Sequence, residues 1–105
     1  MKKLKGFQRR YLKGLAHRMK PVVFIGQKGM TDSIIHSVDA ALQSHELIKV
    51  KFVDLKEKSQ KQEIGSLLEE KTGSEMVGMI GHTGIFYREQ EDPEKKKIVV
   101  PDRSG

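Results

Sequence analysis

The sequence predicts an α/β domain: a mixed sheet of about four strands, joined by βαβ crossovers and preceded by a helix. Three observations predict it. Short apolar runs alternate with stretches whose apolar residues recur at helical spacing. The resulting order is helix, strand, helix, strand, helix, strand, strand, and strands separated by helices imply crossover connections. The last two runs are separated only by Gly81-His82-Thr83-Gly84, which suits an antiparallel hairpin. With 105 residues, 36% of them apolar, there is material for one small core. Residues 1–105 are therefore read as a single domain, with loose ends over 1–6 and 90–105.

Each element has its own signal. From Phe7 to Met19, the apolar residues Phe7, Tyr11, Leu12, Leu15, Ala16 and Met19 fall on one half of a helical wheel. Arg9, Arg10, Lys13, His17 and Lys20 fall on the other, Arg18 sits at the apolar edge and does not fit the division, and Pro21 ends the helix. Val22 to Ile25 is a continuous apolar run, the pattern of a strand covered on both faces. Thr31 is an N-cap for a helix carrying Ile34, Ile35, Val38, Ala41 and Leu42 and ending around His45. Leu47 to Val53 alternates, with Ile48, Val50 and Phe52 inward and Lys49 and Lys51 outward. Ser59 and Gln62 have capping-box spacing ahead of a third helix with Ile64, Leu67 and Leu68 inward, closed by Gly73. Glu75 to Ile80 and Ile85 to Arg88 form the hairpin, and Ile98 to Pro101 a short edge strand. Most aromatic residues lie on apolar stripes and are assigned to the core, with Phe86 or Tyr87 the candidates for exposure. With so little sign of a stacking platform, any RNA is expected to be recognised by shape and backbone more than by splayed bases.

Charge is segregated. Residues 1–31 carry nine Lys or Arg and no acidic residue, so +9; residues 32–105 carry eleven basic against fourteen acidic residues, so −3. Such a field steers a polyanion to one side of the molecule, and nucleic acid is the partner it favours over a merely solubilising surface. The chain has no cysteine, which removes disulfide frameworks and thiolate sites and suits a reducing compartment. No apolar run is long enough for a signal peptide or a membrane span, so a soluble cytoplasmic protein, not a membrane partner, is expected.

The candidate site is Gly26-Gln27-Lys28-Gly29, between the first predicted strand and the helix opened by Thr31. Glycines let a ligand approach the backbone, and the helix start supplies unpaired N–H groups and a partial positive charge. Together they make a phosphate seat, with the N–H groups of residues 28–31 turned to the anion and Lys28 adding a point charge. Read alone, the turn equally fits a tight connection that uses glycine only for its dihedrals. Arg9, Arg10, Lys13 and Lys20 would line a groove beside it; solvated faces normally mix signs, and this one does not. Lys49 and Lys51 are either further backbone contacts or guards against strand-edge pairing.

Catalysis has no such signal. His17, His36, His45 and His82 lack the i, i+4 spacing of a metal pair. Ser33, His36 and Asp39 make no triad, and the glycine turn lacks the Gly-Lys-Ser/Thr of a nucleotide loop. No enzyme, metal or cofactor is expected.

Tyr11-Leu12-Lys13-Gly14-Leu15-Ala16-His17, Lys20-Pro21-Val22-Val23 and Gly26-Gln27-Lys28-Gly29-Met30-Thr31 resemble the opening of a CRM domain. His45 to Lys51, Ile80-Gly81 with Ile85-Phe86-Tyr87-Arg88, and Lys97 to Pro101 resemble its later blocks, in order. With one such domain, the chain is similar to the stand-alone YhbY family. The resemblance implies a fold similar to the C-terminal domain of translation initiation factor three plus an N-terminal helix. It also implies an RNA-binding protein associated with large ribosomal subunit precursors. No long apolar face is left over once the core is assigned, so a monomer is the default, and the glycine loop and the basic helix are the surfaces expected to hold rRNA. The loop's middle residues vary in that family, so the backbone and both glycines are expected to matter more than the Lys28 charge. A comparable turn clamps the nucleic-acid backbone in KH modules. The other reading is a general nucleic-acid-binding protein of the Alba type, also small, basic and α/β.

Overall fold

The computed structural model describes residues 3–102. Three α-helices, α1 (Gly6–Ala16), α2 (Asp32–His45) and α3 (Lys58–Thr72), alternate with strands β1 (Val23–Ile25), β2 (Leu47–Phe52), β3 (Glu75–Ile80) and β4 (Thr83–Tyr87). The strands form one sheet in the order β1-β2-β4-β3. β1 and β2 pair in parallel; β4 is antiparallel to both its neighbours. β4 thus slots between β2 and β3, making β2-α3-β3 a split βαβ unit. The predicted mixed four-stranded sheet with crossovers and a leading helix is what forms.

Strand alternation sends two sets of side chains to opposite faces. Val23, Ile25, Ile48, Val50, Phe52 and Phe86 pack with Val38 and Leu42 of α2 and Leu68 of α3. Leu47, Val77, Ile85 and Tyr87 pack with Leu12 and Ala16 of α1, and with Ile98 and Val100 of the C-terminal segment. The sheet is therefore sandwiched, with α2 and α3 on one face and α1 with the tail on the other. Two glycines mark tight contacts. A Cβ on Gly65 would come within 2.9 Å of the Met76 sulfur, and one on Gly84 within 2.9 Å of the Phe86 ring.

Local signals set most boundaries. Thr31 Oγ1 accepts the Ile34 N–H at 3.1 Å, capping α2 as expected. Gly73 closes α3 in the left-handed region at φ +69°. The hairpin loop is shorter than predicted: Gly81 (φ +59°) and His82 alone join β3 to β4, because Thr83 and Gly84 pair with Ile80 and Met79.

Other boundaries are tertiary. α1 ends at Ala16, five residues before Pro21, where Lys49 Nζ donates to the His17 carbonyl at 3.2 Å and the chain turns toward β1. Its inward residues are Leu12 and Ala16, while Tyr11 and Leu15 are exposed. The predicted apolar half is thus rotated outward on one flank, because Arg9 takes up part of the inner side. The Ser59 capping box does not form; Glu57 precedes the helix without a side-chain cap. Buried Lys61 holds the first turn instead, donating to the Gly81 carbonyl at 3.1 Å, with His82 Nδ1 at 3.2 Å.

The predicted edge strand over 98–101 is absent. Residues 96–101 join no strand ladder and are held by Glu46. Its Oε2 accepts the Gln90 N–H at 3.0 Å, and Oε1 accepts those of Ile98, at 3.0 Å, and Lys97. Glu46 is 1% exposed with φ +64°, a strained conformation for a non-glycine residue. Both Phe86 and Tyr87, the candidates for exposure, are buried, since β4 is central and covered on both faces.

Candidate nucleic-acid interface

The glycine turn follows β1 directly. The Gly29 N–H donates to the Gly26 carbonyl at 3.0 Å, closing a four-residue turn that leaves Gln27 and Lys28 exposed. The two glycines differ in role. Gly29 has φ +68°, which favours glycine on its own account. Gly26 has no positive φ, and a Cβ there would meet nothing within 4 Å. The fold's packing does not require Gly26, so what it leaves open is approach to the backbone from outside.

Of the N–H groups at 28–31, only that of Gly29 is engaged by a hydrogen bond among the described residues. Lys28, Met30 and Thr31 retain theirs. Thr31 spends its hydroxyl on the α2 cap. Asp32 adds a carboxylate to the first turn of α2, so the helix start is less cationic than its dipole alone would make it.

The basic residues do not form one groove. Arg9 stands at the far end of the sheet, where its Nη1 lies 2.8 Å from the Leu4 carbonyl and 3.4 Å from Glu75 Oε2. Glu75 is in register with Tyr87 and, through it, with Leu47, whereas the glycine turn follows Ile25, in register with Phe52. Leu47 and Phe52 are about 17 Å apart along β2 at the usual strand rise. Arg10 points to solvent from the outer side of α1. Lys13 lays its aliphatic stem over Gly78, where an added Cβ would lie 3.0 Å from it. Lys20 is exposed in the link to β1. Lys49 and Lys51 point to the α1 side of the sheet, Lys51 exposed and Lys49 half-buried.

The ion pairs among the described residues are Arg9–Glu75, Arg88–Asp39 and Lys96–Glu89. Arg10, Lys13, Lys20, Lys28, Lys49 and Lys51 are thus without a carboxylate partner among those residues. Five of them, all but Arg10, span the glycine turn, the link and the sheet face between the turn and α1.

On that face the sequence reading missed three side chains. α1 packs on β2, β3 and β4 and leaves the turn end of the sheet bare. Phe24, Lys51, Thr83 and Ile80 stand in register across all four strands there, on one face. Phe24 is 56% exposed and Ile80 60% exposed. The strand predicted to be covered on both faces is an edge strand covered on one. Val22-Val23-Phe24-Ile25 contains no polar residue, so alternation could not reveal the bare side. The only available signal was the outward Lys51 on the neighbouring strand.

No group of three or more His, Asp or Glu side chains among the described residues could hold a metal ion. No described helix is long and apolar enough to cross a membrane.

A split βαβ sheet, helices on both faces, and a cationic surface free of carboxylate partners among the described residues, running from a glycine turn onto the bare sheet, define a small α/β domain with one cationic face. The chain belongs to the CRS1 / YhbY (CRM) domain family, whose model matches residues 4–88. It is 37% identical over 94 residues to a Haemophilus influenzae protein named RNA-binding protein, covering 90% of this chain and 91% of that one. It is 34% identical to the Bacillus subtilis protein named Probable RNA-binding protein YqeI, covering 93% and 99%. The solution structure of the Staphylococcus aureus protein SAV1595 superposes with a TM-score of 0.79 at 36% identity, covering 94% of this chain and all of that one.

Proposed function

We propose that this protein binds RNA without catalysis, and that its target is rRNA in precursors of the large ribosomal subunit. The observation that carries this is the run of lysines 13, 20, 28, 49 and 51, free of carboxylate partners among the described residues, around a turn whose backbone is open to a ligand. Family relatives bearing the name RNA-binding protein support the choice of RNA. Phosphates would be held by the Lys28, Met30 and Thr31 N–H groups and by the lysines, contacts that position a strand without reading its sequence. Arg10 extends the same field on α1. Arg9 is the weaker contributor, because Glu75 shares its charge. The protein would work in the cytoplasm as a monomer on the pre-ribosomal particle, with no cofactor.

The test is sedimentation of cell lysate at low and moderate salt, with the protein followed by antibody. Co-migration with a large-subunit precursor, lost as salt rises, is expected. In parallel, Lys28→Ala and Lys51→Ala should each flatten the salt dependence of RNA affinity by about 0.7 in log–log slope if the strand is single. Sedimentation only at the top of the gradient in both conditions refutes the ribosomal target. Unchanged slopes refute this surface. Equal affinity for duplex DNA and rRNA would favour a general nucleic-acid binder of the Alba type.

A further inference from the structure

We infer that the bare half of the sheet is a single-strand site on which an RNA base stacks against Phe24. This rests on the RNA-binding proposal above and adds which form of RNA is taken and how.

Phe24 is a large apolar ring more than half exposed, on a face where α1 could have covered it and does not. Its register neighbour on β2 is Lys51, followed by Thr83 on β4 and Ile80 on β3. The row crosses about 14 Å of sheet at the usual strand spacing. An unrelated four-stranded RNA-binding sheet carries two or three stacked bases across a comparable width. Behind the row, toward α1, lies a cavity of about 280 Å³. Ile80, Thr83 and Ile85 line it together with Lys13, His17 and Lys49. The row thus has an apolar side chain at each edge, Phe24 and Ile80, with Lys51 and Thr83 between them, and neither the row nor the cavity lining carries an acidic side chain.

That chemistry matches one occupant. An unstacked nucleotide offers an aromatic face to Phe24 and a phosphate to Lys51 or Lys49. Paired RNA keeps its bases stacked inside the helix and offers no ring to a side chain lying flush on a sheet. The glycine turn begins two residues after Phe24, so the next phosphate along the strand would reach its open backbone.

The chain has no tryptophan, so Phe24→Trp introduces a single indole at the site. The experiment titrates this variant with a 12-nucleotide single-stranded RNA and with the same sequence as a duplex. Affinities for labelled forms of both are measured on the wild type, Phe24→Trp and Phe24→Leu. The leucine variant keeps an apolar side chain without a ring, and circular dichroism checks its fold. Indole quenching by the single strand and little by the duplex is expected. Phe24→Leu should lose roughly 5- to 150-fold in single-strand affinity, the effect of one base–aromatic stack. If wild type binds the single strand but Phe24→Leu binds it equally and the indole is not quenched, the stacking site is refuted while RNA binding stands. If wild type binds neither RNA, both proposals fall. A concentration-dependent dimer that Phe24→Leu abolishes would give the patch to a second copy of the chain and also overturn the site.

Discussion

Replacing Glu46 by Gln changes one atom's chemistry at the point where three segments meet. The carboxylate sits just after α2, fully buried, and accepts the N–H groups of Gln90, Lys97 and Ile98. In the Glu46→Gln variant the amide oxygen can still serve Lys97 and Ile98. Its NH₂ then faces the Gln90 N–H, donor against donor. One hydrogen bond to a charged acceptor is lost, worth about 1.5–3 kcal/mol, and the two that remain lose their charge assistance. The loss is limited from the other side: residues 96–101 can detach and hydrate, so it should not exceed the docking energy of the tail, including burial of Ile98 and Val100. A net loss of about 2–3 kcal/mol is expected on these magnitudes. Urea unfolding measures it, and amide exchange at Lys97 and Ile98 shows whether the tail has come loose. Glu46→Gly separates carboxylate from backbone: it relieves the φ of +64° but should still free the tail. Refutation would be a Glu46→Gln variant within about 0.5 kcal/mol of wild type, the range of ordinary surface substitutions, with unchanged exchange at both amides.

Three further outcomes are expected. Gly29→Ala must place a side chain at φ +68° and should cost about 1–2 kcal/mol in thermal or urea unfolding; Gly26→Ala should leave stability unchanged and weaken RNA affinity. Arg9→Ala should lower stability by about 1 kcal/mol, since it removes donors to the Leu4 carbonyl and the buried Glu75 carboxylate, and lower RNA affinity less than Lys51→Ala does. Burial first, then the nearby Glu46 and Glu89 charges, push the Tyr87 hydroxyl up to about 12 from its ordinary 10.0. A folded-state value above the unfolded one stabilises fully below pH 10 and is lost as pH rises toward 12. Wild type should therefore lose stability over that window, and Tyr87→Phe should show less of the loss in unfolding curves taken from pH 9 to 12.

The glycine turn, the Thr31 cap, the Gly73 stop and the alternation of β2 were legible because each is a local event. A few residues satisfy or fail to satisfy the backbone's own needs, and the sequence displays them side by side. The mixed sheet followed from the order of elements, since helices between strands leave few connections open. The same local logic failed where a distant group intervened. Ser59 falls inside α3, which starts at Lys58 and is tied to the hairpin by Lys61, and the α1 stripe was shifted by Arg9 reaching Glu75.

The candidate site was half legible. Gly26 to Gly29 and the unpaired lysines could be named from type and spacing. Phe24 could not, because an apolar run looks the same whether one face or two will be covered. That depends on how far α1 extends over the sheet, and α1 stops where Lys49 meets the His17 carbonyl, a contact across 32 residues. By itself, then, the sequence determined the elements, their order and the cationic bias of one end, all properties of neighbours along the chain. Only the tertiary structure decided which charges are neutralised, which apolar side chains stay in water, and that Glu46 binds the tail. Those outcomes belong to pairs of groups brought together by packing, and no local pattern records them.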